Sequence, residues 1–379
     1  MTSDKVVQFK SNPTQDNFLK VYNRKVNQYF KDNNTTKYAN REMHIKTVVA
    51  IASWIGVYAL IMTNTMSFSN LALIATFTAL GFVNIFIAFN IVHDACHNAY
   101  SKNPKVNKRM GYFMNFIGAN RYLFTMMHNA HHAFVNIHGI DVTLETHGLF
   151  RFTPHEPHKP MHKWQHIYTP IVYALAMIHW TIIKDFKWYF QERNIGNLKN
   201  IEHDPKEFWI LLFSKLVYYT LTLVLPLIFV QAPVWAIIVG WVMIHILPGL
   251  TFAVVFQCTH VYNGTTYPMP DENNDIHNNY ALHVIATTAD FSRKNKVITW
   301  LLGAINIHVI HHILPTVCHV HYMKLTDILV ETCKEFGVEY QENPNIWVAF
   351  KKHMEMLKIL SREDAYVPEY KPNHYRLGV

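Results

Sequence analysis

Three histidine clusters dominate the residues able to do chemistry. They are His93-Asp-Ala-Cys-His97, His128-Asn-Ala-His131-His132 and His308-Val-Ile-His311-His312. Spacing of i, i+4 sets two imidazoles on one helix face, and i, i+3, i+4 gathers three. Imidazole is the commonest metal ligand and suits Zn, Cu, Fe and Ni. A closed structural zinc site uses four ligands, whereas the clusters supply eight histidines. That number suits two metals with open positions. The ligand count does not separate iron from zinc. One H-x-x-H pattern alone is weak evidence, and three on one side of a membrane are strong evidence. The other histidines, among them His155, His158, His162, His166, His319 and His321, look scattered and are read as ordinary polar residues.

The clusters need elements to hold them. Apolar runs cover Thr47 to Thr63, Leu71 to Val92, Leu211 to Val230 and Val234 to Gln257. Each approaches the ~20 residues that span hydrocarbon as a helix. The polar break Asn64 to Asn70 separates the first two, and Gln231, Ala232 and Pro233 separate the last two. Both pairs therefore read as helical hairpins. Lys and Arg number 9 before the first hairpin, 13 between the hairpins and 11 after the second, with Lys215 inside a span and none in either hairpin loop. The positive-inside rule then puts both termini and the central segment in the cytosol, with all three clusters. A further apolar stretch, His166 to Ile183, would turn later lysines outward if it crossed. It is read as an interfacial or half-buried helix, and so is Met110 to Met127, anchored by Arg109 and Arg121.

The expected architecture is an all-α integral membrane protein. Four transmembrane helices form two hairpins beneath a cytosolic helical cap with interfacial helices. Residues 1–46 form a cytosolic N-terminal segment without signal-peptide character, 47–345 the membrane and catalytic domain, and 346–379 a cytosolic C-terminal segment. The mean hydropathy of +0.02 fits this mixed object better than a pure membrane bundle. The net charge of +8 is largely a topology signal. With no nucleic-acid module visible, nucleic acid ranks last among partners. Cys96, Cys258, Cys318 and Cys333 form no C-x-x-C pair, so neither a disulfide framework nor a thiolate site is expected.

The three boxes resemble those of the membrane fatty acid desaturases, within the wider group of histidine-box di-iron desaturases and hydroxylases. The likeness runs from about residue 45 to 345. HNAHHAFVNIHGIDVTL resembles the family's second box, RFTPHEPHKPMHKWQHIYTPIVY the segment after it in acyl-lipid and linoleoyl-CoA-type enzymes, and NIHVIHHILPTVCHVHY the third box of the front-end group. FQCTHVYNGTTYP looks like the end of the fourth span, where His260 matches a ninth ligand.

The resemblance implies two iron ions held by His93, His97, His128, His131, His132, His260, His308, His311 and His312. It also implies O2 as co-substrate and a cis double bond formed in a fatty acyl lipid or acyl thioester. Such chemistry needs a redox metal, because an unactivated methylene has no acidic proton. Asp94, Asn136 and Asp141 are candidates to accept the free N–H of ligand imidazoles; helix capping or turn formation is the competing role, equally weighted for Asn136. Many front-end relatives carry Gln where this chain has His308, which blurs regioselectivity. No His-Pro-Gly-Gly motif of a fused cytochrome b5 is present, so electrons are expected from a separate carrier, such as a ferredoxin or free cytochrome b5. The expected location is a bacterial inner membrane or an ER-type membrane. A lipid or carotenoid hydroxylase could use the same site. A metal transporter or sensor would instead place its ligands at the bilayer midplane.

Overall fold

The computed structural model describes residues 6–64, 69–190 and 194–366. Parts of the expected N- and C-terminal segments and of the first hairpin loop lie outside these residues. In chain order, α1 (Pro13–Asp32) precedes α2 (Arg41–Thr63) and α3 (Asn70–Cys96). Then come α4 (Arg121–Ala133) and a bent pair, α5 (Pro160–Ala174) and α6 (Ala176–Phe190). The second long pair is α7 (Pro205–Phe229) and α8 (Val234–His260). Further along lie α9 (Tyr280–Thr287), α10 (His308–Ile313), α11 (Tyr322–Glu335) and α12 (Ile346–Leu360), with shorter helical turns between elements. Two short parallel pairings, Gln8–Phe9 with Asp275–Ile276 and Asp290–Phe291 with Glu342–Asn343, are minor additions to an all-α architecture.

The helices α2, α3, α7 and α8 are long and apolar enough to cross a bilayer, so this is a membrane protein. Each runs past one or both ends of its hydrophobic stretch. Hydropathy marks only the part that matches hydrocarbon, whereas main-chain hydrogen bonding continues into the polar interface. Asn40 caps α2 by accepting from Met43 N, and Asp204 caps α7 by accepting from Lys206 N. At the other end, α3 carries on through Cys96 and α8 through His260. These extensions bring the first histidine box and His260 onto helix ends. A π-helical stretch, Ala88–Val92, directly precedes His93, a distortion frequent at functional sites.

The two hairpins meet along α3 and α8 at close range. A Cβ on Gly81 would collide with the Ile244 carbonyl and lie 2.7 Å from Pro248 Cγ, and one on Gly240 would press into the Phe77 ring. Small residues allow this approach where apolar surface gives no hydrophobic drive between helices.

Both stretches expected as interfacial helices are broken. Met110 to Met127 is not one helix: Pro104–Gly111, Phe113–Phe116 and α4 are separate, with Gly118 at φ +100° and Asn120 capping α4. The apolar stretch from His166 breaks at Leu175, where α5 and α6 bend by 59°. Each half is shorter than the ~20 residues of a straight span. Ile167, Ile171, Ile182 and Ile183 on this pair are exposed, as a lipid-facing surface requires.

One ion pair bolts the bent pair to α7. Lys215 Nζ lies 2.7 Å from Asp185 Oδ2, with side chains 4% and 0% exposed. Trp180 Nε1 donates to Asp185 Oδ1 at 2.9 Å and Lys215 also donates to Gly118 O at 2.7 Å. Removing one partner of such a pair leaves an uncompensated buried charge. Asp185→Asn is expected to destabilise the protein by about 3 kcal/mol, read as a lowered melting temperature in detergent. The double change Asp185→Leu with Lys215→Met should recover most of that loss.

Candidate metal centre

The nine histidines come from four helix ends: His93 and His97 from α3, His128, His131 and His132 from α4, His260 from α8, and His308, His311 and His312 from α10. All nine are buried. They do not group by sequence box. His93, His97, His128, His132 and His311 form one cluster, and His131, His260, His308 and His312 form another, with ring nitrogens inside each cluster within 4.8 Å of one another. On a helix of 3.6 residues per turn, positions i and i+4 point ~40° apart while i+3 falls ~60° to the other side. Box two therefore gives its i, i+4 pair to the first cluster and its middle histidine to the second. Box three does the reverse. The clusters share a wall where the His132 and His312 rings lie 4.3 Å apart.

These donors fit transition-metal ions. His93 Nε2 and His128 Nε2 are 3.0 Å apart. The Nε2 atoms of His308, His131 and His312 approach His260 Nε2 at 2.9, 3.3 and 3.4 Å. One ring nitrogen cannot satisfy three others by hydrogen bonding. His97 Nε2, His132 Nδ1, His260 Nδ1, His311 Nε2 and His312 Nδ1 are buried without a hydrogen-bond partner. Burial, reinforced by neighbouring imidazoles, holds His128, His132, His311 and His312 far below the ordinary histidine range. Burial likewise lowers His308 to about 3 and His97 to about 4. Neutral rings with free lone pairs are what a metal requires.

The candidate outer partners take different places. Asp141 reaches a ring: both its oxygens lie 3.0 Å from His131 Nδ1. The carboxylate is itself held by Asn136 N, Thr143 N and Thr143 Oγ1 at 2.8 to 2.9 Å. Asn136 hydrogen-bonds main chain, Asp141 and Thr265 rather than an imidazole. At φ +55° it turns the chain after α4, and its Nδ2 donates to the carbonyls of His260 and Thr287, each at 2.9 Å. It positions the end of α8 rather than a ring. Asp94 also bypasses the boxes and accepts from His319, at 2.9 Å from Nδ1 and 3.2 Å from N.

His319, read from sequence as scattered, is therefore part of the site's support. Lys46 Nζ sits 3.0 Å from His319 Nε2, 2.9 Å from Asn90 Oδ1 and 3.0 Å from Trp300 O. An ammonium only donates, so His319 Nε2 accepts and its Nδ1–H faces Asp94. Nothing in sequence spacing links positions 46, 94 and 319; the one available signal was a lysine at the edge of an apolar helix. His155, His158 and His162 bond main-chain carbonyls of Tyr267, Ser361 and Gly148, as befits ordinary polar residues.

Four apolar helices, two of which (α3 and α8) end with α4 and α10 on paired imidazole clusters, define a histidine-box membrane oxidoreductase, and a family model for fatty acid desaturases matches residues 68–344. The chain belongs to that family and is an enzyme of oxygen-dependent fatty acyl desaturation. Its relatives include the sn-1 linoleoyl-lipid 6-desaturase of Arthrospira platensis, 31% identical over 91% of this chain and 92% of that protein. The enzyme of the same name from a Synechocystis species is 29% identical over 91% of this chain and 96% of its own. The acyl-lipid (8-3)-desaturase of Physcomitrium patens is 29% identical over 90% and 71%, respectively.

Loss of the Asp141 carboxylate should free the His131 ring. Asp141→Asn is expected to weaken metal binding by about 10- to 100-fold, measured by competition with a chelator of known affinity.

Proposed function

We propose that the chain inserts a cis double bond into the acyl chain of a membrane lipid at a pair of iron ions. The five-histidine cluster would hold one ion and the four-histidine cluster the other. The observation that carries this reading is the division of nine buried imidazoles into two adjoining sets. When bound, the iron pair supplies the oxidising power of O2, which with two electrons and two protons takes two hydrogens from adjacent methylenes and leaves as two waters. The protein's own part is to keep the imidazoles neutral and aimed, through burial, Asp141 and the Asp94–His319–Lys46 chain, and to shut out water. An acyl chain carried on a lipid is favoured over a soluble thioester by the likeness to linoleoyl-lipid and acyl-lipid enzymes.

The 13 Lys and Arg between the hairpins support a cytosolic location for the termini and for the histidine clusters. The inner membrane of a bacterium or an ER-type membrane would serve equally. The electrons come from a separate carrier, a ferredoxin or cytochrome b5, and the basic cytosolic face suits an acidic partner of that kind.

Two single substitutions test the division of ligands. His311→Ala strikes the five-histidine cluster and His131→Ala the four-histidine cluster. Each is expected to bring bound iron from about two to about one ion per chain while the protein still inserts. Desaturated fatty acids, read by gas chromatography–mass spectrometry of an expressing strain, should disappear in both. Normal turnover in either variant would remove the site assignment. A reporter fused after Pro233 should lie outside the cytosol and one after Val379 inside; the reverse result would break the topology.

A further inference from the structure

The helix ends that carry the second and third boxes leave main-chain carbonyls without intrahelical partners. His132 O belongs to the last turn of α4 and His312 O to the last turn of α10. A single hydroxyl, with one proton to donate, lies within reach of both. Tyr280, at the start of α9, donates to His132 O and lies 3.3 Å from His312 O. These two residues are also the pair whose rings form the wall between the clusters, 4.3 Å apart. His132 faces the five-histidine cluster and His312 the four-histidine cluster. A displacement of either main chain therefore moves one cluster against the other.

The surroundings hold Tyr280 still. The α9 N-cap residue Asn279 accepts from Ala281 N. One turn on, His283 Nε2 donates to Val135 O at 2.8 Å, a second bond from α9 to the end of α4. The Phe9 ring packs edge-on against Tyr280 at 5.4 Å and His283 at 5.0 Å. Phe9 is fixed in turn by the pairing of Gln8–Phe9 with Asp275–Ile276. An N-terminal strap thus backs the residue that joins the two ligand helices.

We propose that the Tyr280 hydroxyl is a positioning group that sets the separation of the two metal sites by bridging the main-chain carbonyls of His132 and His312. The proposal rests on the two-metal reading above. It concerns the distance between the sites rather than the affinity of either, because Tyr280 bonds the main chain and leaves the ring nitrogens untouched.

Copper(II) is a suitable probe, since imidazole binds it well and two nearby copper spins give a half-field electron paramagnetic resonance line whose intensity falls steeply with their separation. The purified full chain, loaded with Cu2+ alone, is compared with Tyr280→Phe and Phe9→Ala. The wild type is scored first: fewer than two coppers per chain would refute the two-metal reading itself. With two bound, Tyr280→Phe is expected to keep both coppers and lose the half-field line or shift its intensity. Phe9→Ala, which keeps the hydroxyl, should retain it. An unchanged line in Tyr280→Phe overturns the proposal, and so does an equal change in both variants. Failure of Tyr280→Phe to accumulate while Phe9→Ala folds also overturns it, because the hydroxyl would then serve folding rather than spacing.

Discussion

Everything in this molecule turns on the cost of burying nine imidazoles beside one another at the ends of apolar helices. A polar group taken from water must find a partner or destabilise the fold. Within the clusters the partners are mostly other imidazoles, which cannot satisfy each other fully. His260 Nε2 alone is approached by three of them. The arrangement makes sense as a set of lone pairs kept for cations, with burial preventing their protonation. Metal binding and folding are then coupled, because binding free energy is available only to the assembled site.

The remaining polar groups around the centre are satisfied by a different logic. Asp141 is a carboxylate saturated by donors and thereby fixed against His131. Asp94 accepts from His319, which is held from behind by Lys46. This chain runs from the start of α2 to the end of α3, so the first hairpin is locked at the level where it meets the site. The Asp185–Lys215 pair does the same for α6 and α7. Charged groups in apolar surroundings act here as pins between helices, each tolerable because its partner is in place.

Much of this architecture was legible in the sequence. Runs of apolar residues identified the four helices among the described residues that are each long and apolar enough to span, because the bilayer imposes a length and an unbroken hydropathy that few other structures need. Helix ends were harder to read, since main-chain bonding outlasts hydropathy: α3 reaches Cys96 and α8 reaches His260. The stretch from Met110 was misread as one helix. Its residues are largely apolar, but Gly118 and the Asn120 cap break the chain there, and hydropathy says nothing of such breaks.

At the site, the sequence by itself determined which residues could share a helix face, because i, i+3 and i+4 relations are geometry inside one element. It therefore revealed the three boxes, and the likeness to a known family added His260. Only the tertiary structure decided how the boxes interleave, with the middle histidine of boxes two and three crossing to the other cluster. It also decided that Asp94 serves His319 rather than a box ring, that Asn136 holds main chain, and that Lys46 and Tyr280 belong to the site's support. Each of these contacts joins residues tens to hundreds of positions apart. Their pairing depends on how whole helices pack, which no local spacing records.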